Sequence, residues 1–128
     1  MEIELKYAFD KYKNAVESLK DGVKTAVSDL EKDGVIQRFE FTFELMWKTS
    51  KLVLSEKGIN LSNPKDTVKE LFRQGWITEE QPALIMLEDR NKTSHTYNKE
   101  TSDLICERIK TSHVILLENI LSKLTIQI

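Results

Sequence analysis

Val35-Ile36-Gln37-Arg38-Phe39-Glu40-Phe41-Thr42-Phe43-Glu44-Leu45-Met46-Trp47-Lys48-Thr49-Ser50-Lys51-Leu52-Val53-Leu54 is where the fold is easiest to read. Ile36, Phe39, Phe43, Met46, Trp47, Ser50, Val53 and Leu54 recur at intervals of three and four, which predicts a helix over about Val35 to Lys57. Phe41, Leu45 and Leu52 fall about half a turn away at 100° per residue. A helix apolar on two faces either sits at the centre of its own bundle or also faces another subunit. With about four or five helices available, the second is expected, a first pointer to a homodimer.

The flanking sequence repeats the helical pattern. On the N-terminal side, Leu5, Ala8, Phe9, Tyr12, Val16, Leu19, Val23, Ala26 and Leu30 form one stripe, predicting a helix from about Ile3 to Leu30. Gly22 is expected to bend or split it, and Asp33-Gly34 to form the turn that follows. On the C-terminal side, Gly58 suits a helix end, and Asn63-Pro64 an N-cap with proline in the first turn. The short helix this opens is expected to close at Gly75. Thr78-Glu79-Glu80-Gln81 has the form of a capping box opening a helix through Ala83, Leu84, Met86 and Leu87. A last helix from near Asn98 carries Leu104, Ile105, Ile109, Leu116, Ile120 and Leu124. The chain has four glycines, two prolines and no sustained alternation of period two. The expectation is an all-α, up-and-down bundle of about five helices, four-helix-bundle-like, forming one domain over residues 1–128, without repeats or linkers.

Composition narrows the functional classes. Of 128 residues 40% are hydrophobic and 31% charged, which suits a packed domain and not disorder. A formal net charge of −2 lacks the footprint of a duplex-DNA binder. Cys106, the single cysteine, excludes an internal disulfide and suits a reducing compartment. No secretory pattern opens the chain, and the apolar run Val114–Leu117 is far too short to span a bilayer. A cytoplasmic protein without a membrane partner is expected.

One segment departs from bundle patterning: Glu88-Asp89-Arg90-Asn91-Lys92-Thr93-Ser94-His95-Thr96-Tyr97-Asn98-Lys99. It is polar and poor in core residues, and such connections on a rigid scaffold often carry function. On a continuous helix Arg90 and His95 would stand about 140° apart. They converge only if the helix breaks, and Thr93-Ser94 with Asn98 ahead supplies the break. Histidine can move a proton near neutrality, and arginine presents a charged fork to phosphate oxygens. That pairing suits cleavage of an RNA phosphodiester through its 2′-hydroxyl, without a cofactor. With two well-separated histidines and one cysteine, the sequence offers no convincing metal site. A plainer reading stands beside this one. Arg90 could simply cap helix carbonyls, His95 be solvated, and Tyr97 be a half-buried aromatic. Glu40 and Glu44 could approach a cleft or lie on a solvated helix face. His113 reads as a partly buried helix residue and Cys106 as a small core hydrophobe.

Arg90-Asn91-x-x-x-His95-x-Tyr97 resembles the R-x4-H-x-Y signature of HEPN domains, specifically those encoded beside minimal nucleotidyltransferases. Gln37 to Lys48 resembles the second-helix motif of the same group, and the order Asn63-Pro64, then Phe72-Arg73-Gln74-Gly75-Trp76-Ile77, agrees with it. The resemblance covers most of the chain from about Ile36 onward. It implies a homodimer with two R-x4-H loops facing one cleft. It also implies a metal-independent ribonuclease toxin neutralised by a partner nucleotidyltransferase, with Arg90 on the phosphate and His95 as general acid/base. Asn91 would orient the pair or the RNA, and Tyr97 would be the residue to which the partner transfers AMP. The alternative it carries is a non-catalytic substrate-binding subunit of a two-component nucleotidyltransferase. A helical oligomerisation module with no chemistry in its loop is a third reading.

Overall fold

The structure is a computed structural model that describes residues 2–95 and 98–128, with the side chains of all of these except Glu2 and His95. Helices follow one another as α1 (Glu2–Thr25), α2 (Asp29–Glu56), α3 (Pro64–Arg73) and α4 (Glu80–Lys92). A 3₁₀ turn (Thr93–His95) comes next, then α5 (Lys99–Arg108), a π-helical turn (Ile109–His113) and α6 (Val114–Ile126). The last three run on directly, so the architecture is five helical rods with no strand among the described residues. This is the helical bundle expected.

α1 and α2 pair antiparallel along their length. Arg38 Nη1 donates to Ser18 O (2.7 Å), Thr42 Oγ1 lies 3.3 Å from Ala15 O, and Thr49 Oγ1 lies 3.5 Å from Ala8 O. As one residue number rises the other falls. Gly22 faces this seam, where a Cβ would come within 3.1 Å of Arg38 Nη1, so it makes room for the arginine and α1 runs through it.

The break between the first two helices lies earlier than Asp33-Gly34, where the turn was expected. Ser28 and Glu31 form a reciprocal capping box. Ser28 Oγ accepts from Glu31 N (3.1 Å), and Glu31 Oε1 accepts from Ser28 N (2.9 Å). Two donors satisfied together outweigh the apolar stripe that extends to Leu30, which is 81% exposed. Gly34 therefore sits inside α2 with open space where a Cβ would be. Gly34→Ala should stabilise the protein by about 0.5–1 kcal/mol, visible as a higher urea midpoint; a lower midpoint would mean the site is strained.

α2 is central and touches α1, α3, α4, α5 and α6. Its buried positions include Ile36, Phe39, Phe43, Met46, Ser50, Val53 and Leu54, most of the predicted stripe, while Trp47 is half-buried. Centrality accounts for much of its second apolar face, since Leu45 and Leu52 pack partly on the core. Phe41 remains 41% exposed. α2 ends as the glycine signal indicates: Gly58 adopts φ +80°, Gly58 N donates to Ser55 O and Ile59 N to Leu54 O. Asn63 Oδ1 caps α3 through Asp66 N (2.9 Å). α4 begins one residue later than its predicted box, with Glu79 at the N-cap and no side-chain cap bond. Trp76 and Ile77, both buried, tie the preceding segment to the core.

Candidate functional site

α4 ends where the sequence suggests. Thr93 Oγ1 donates to Arg90 O (2.7 Å) and Ser94 Oγ to Asn91 O (3.3 Å). These hydroxyls satisfy carbonyls that a continuing helix would have used. The 3₁₀ turn Thr93–His95 follows, and Asn98 caps α5 by accepting from Glu100 N (2.8 Å) and Thr101 N (3.3 Å). Arg90 thus lies in the last turn of α4 and the backbone of His95 in the turn beyond it. The His95 side chain and all of Tyr97 lie outside the described residues. Asn91 is exposed.

Arg90 turns towards α2. Its Nη2 is 4.0 Å from Glu44 Oε2, the outer limit of an ion pair, and its buried Nε has no partner among the described residues. Glu44 also meets Lys48 at 3.3 Å. Of the two α2 acids considered from sequence, Glu44 is the one the structure brings to Arg90. One turn along, Trp47 Nε1 is likewise buried without a partner among the described residues. Arg90 therefore offers an N–H without a partner among the described residues and a second group only loosely engaged, an arrangement suited to an anion.

Asp89, one residue before Arg90, does something the sequence reading missed. It is 1% exposed, and its carboxylate accepts from three N–H groups. Arg108 Nε (2.6 Å) and His113 Nε2 (2.7 Å) donate to Oδ2, and Arg108 Nη2 (2.5 Å) donates to Oδ1. Burial is the largest single influence and pushes the Asp89 pKa up. Hydrogen bonds and charge from Arg108 and His113 together outweigh it and bring the group down to about 2. His113 is fully buried, not partly buried as expected, and its ring stacks on Phe39 of α2 at 5.4 Å and 21°.

Arg108 and His113 are five positions apart, about 140° on an α-helix. The π turn Ile109–His113 inserts the extra residue that brings both round to one carboxylate. A signal for this pair was present in the sequence. Arg90-Asn-Lys-Thr-Ser-His95 and Arg108-Ile-Lys-Thr-Ser-His113 differ at one position in six. At the first, exposed Asn91 lets the helix end; at the second, buried Ile109 holds it to the core.

Cys106 is half-buried with its Sγ 3.5 Å from Lys32 O, and burial, reinforced by Asp103 and Asp33, pushes its thiol up to about 11. Among the described residues no three His, Cys, Asp or Glu side chains converge into a metal site. No helix among them is long and apolar enough to cross a membrane.

Three comparisons place this geometry among known proteins. A Haemophilus influenzae protein named "Probable ribonuclease HepT" is 34% identical over 88 residues, covering 65% of this chain. The chain spans 60% of that relative's length. A solved structure from Thermus thermophilus superposes with a TM-score of 0.83 at 33% identity, over 88% of this chain and 98% of that one. A second, from Haemophilus influenzae, is described as revealing the fold of a substrate-binding domain of a nucleotidyltransferase. It superposes with a TM-score of 0.68 at 28% identity, over 94% of this chain and 96% of that one. The HEPN resemblance read from the two motifs agrees with these matches. The model of the "Nucleotidyltransferase substrate binding protein like" family matches residues 7–126, and the chain belongs to that family.

Proposed function

We propose that the protein is a metal-independent HEPN ribonuclease toxin, held inactive by a partner nucleotidyltransferase. The observation that carries the reading is Arg90 at the end of α4, its Nε without a partner among the described residues and its Nη2 only loosely held by Glu44. Such a guanidinium is free to exchange a distant carboxylate for the oxygens of a phosphodiester. His95, on the turn that starts within one helical turn of Arg90, takes the proton from the 2′-hydroxyl and returns one to the leaving oxygen. Asn91, exposed beside Arg90, orients the RNA or the catalytic pair. Tyr97 is the residue that accepts AMP from the partner, and the added charge and bulk would close the site. The protein works as a homodimer, to which the exposed ring of Phe41 on α2 would contribute apolar area.

A second reading is favoured by the family description and by the neighbour's substrate-binding domain. In it the same Arg90 fork binds a substrate or nucleotide for the partner, and His95 performs no chemistry. Purified protein whose mass shows Tyr97 unmodified separates the two, incubated with RNA in the presence of EDTA. The toxin reading expects cleavage by the wild type. Arg90→Ala and His95→Ala should each lose it, by about 10²–10⁴-fold for the histidine. Intact RNA after incubation with unmodified wild type sinks the ribonuclease and leaves the binding subunit.

A further inference from the structure

We propose that Asp89, Arg108 and His113 are positioning residues that fix the rotation of the end of α4, and so aim Arg90 and the turn carrying His95. The proposal rests on the ribonuclease reading above. Asp89 and Arg90 are adjacent on one helix and therefore about 100° apart around its axis. Asp89 faces the π turn between α5 and α6, and Arg90 faces Glu44 on α2. A turn of the helix end that moved one would move the other.

The cluster is built for direction. A buried charged group is often no more stabilising than apolar residues of the same volume. What a forked guanidinium on a carboxylate supplies is fixed relative orientation. His113 Nε2 adds a third restraint, and the ring delivering it is itself held flat against Phe39 of the central helix. The π turn that brings Arg108 and His113 to the same carboxylate gives up regular helical bonding to do so. Without this anchor, a rotation of about 20° shifts a Cα by ~0.8 Å on the ~2.3 Å radius of a helix. The guanidinium tip moves further. Displacements of about 1 Å cost roughly 100-fold in rate when a reacting group is misplaced.

The test compares His113→Leu, which keeps apolar volume and removes the donor, with His113→Gln, which keeps an N–H. Three quantities are read on the full chain: kcat and KM for metal-free cleavage of an RNA oligonucleotide, hydrogen exchange at Arg90 Nε–H by ¹⁵N NMR, and thermal unfolding. His113→Leu, still folded, should lose about tenfold or more in kcat with little change in KM, and exchange at Arg90 Nε–H should quicken. His113→Gln should recover most of both. A folded His113→Leu with wild-type kcat and unchanged exchange overturns the proposal and leaves the cluster a purely structural one. Should His113→Leu fail to fold, Arg108→Lys decides, because it keeps the charge and loses the fork. Unchanged kcat and exchange in that variant overturn the proposal equally. If the wild type cleaves no RNA, the ribonuclease reading falls by itself. The exchange measurement then decides the anchor alone, with unaltered exchange in His113→Leu overturning it.

Discussion

Asp89→Ala is expected to lower stability by about 3–5 kcal/mol, because it leaves Arg108 and His113 facing a hole where their shared acceptor stood. The loss is much greater than for an exposed ion pair, since Asp89 and His113 are each 1% exposed. Urea denaturation at neutral pH measures it, and a loss under about 1 kcal/mol would mean that water enters and replaces the carboxylate. Asp89→Asn, which keeps the shape and one good acceptor, should fall between wild type and alanine. The acid limb provides a second check. The Asp89 pKa is depressed from 3.8 to about 2, so its contribution is complete above the unfolded value and disappears as pH falls through the folded one. Wild type should surrender about 2 kcal/mol between roughly pH 5 and pH 2 from this group. The stability gap between wild type and Asp89→Asn should narrow over that interval. A gap that stays constant down to pH 2 would show that Asp89 is not the carboxylate responsible.

Phe39→Ala should cost about 3–5 kcal/mol, the range for truncating a fully buried aromatic. Phe39 is 0% exposed, with Phe43 at 6.3 Å on one side and the His113 ring at 5.4 Å on the other. Removing it opens a cavity in the central helix and frees the imidazole to leave the Asp89 carboxylate. The two losses should therefore interact. A double-mutant cycle with His113→Leu should show coupling of about 0.5–3 kcal/mol. Strict additivity would show that the ring contact does not help to hold His113. Phe41→Ala, two residues along and 41% exposed, should by contrast change the stability of a monomer by less than about 1 kcal/mol.

How far each feature could be read in advance depends on the range of the interaction behind it. Most of the α2 stripe, the glycine end at Gly58, the cap at Asn63 and the helix start near Asn98 rest on residues within a turn of one another, and these stand as predicted. The break at Thr93-Ser94 was legible for the same reason, because both hydroxyls bond carbonyls three residues back. Two errors came from local signals in competition. The stripe reaching Leu30 hid the Ser28–Glu31 capping box, and Asp33-Gly34 looked like a turn although α2 runs through it. At Thr78 the capping pattern was real in sequence, but buried Trp76 and Ile77 shift the start of α4. The Asp89 cluster was hidden for a different cause. Its members are 19 and 24 positions apart, and they meet only because a π turn alters the facing of one helix. No periodicity assigned from 3.6 residues per turn contains that information.

The back-to-back placement of Asp89 and Arg90 also bears on which changes of length the chain can absorb. One residue inserted in α4 ahead of Asp89 would turn everything after it by about 100°. Asp89 and Arg90 would then both leave their partners, although every amino acid needed was still present. The connection at 57–63, with its residues exposed or half-buried, is under no such constraint of phase, and lengthening it costs little entropy. Insertions and deletions among functional relatives should therefore be tolerated in that connection and be missing from the last two turns of α4. For a helix anchored on one side and aimed on another, phase matters as much as residue identity.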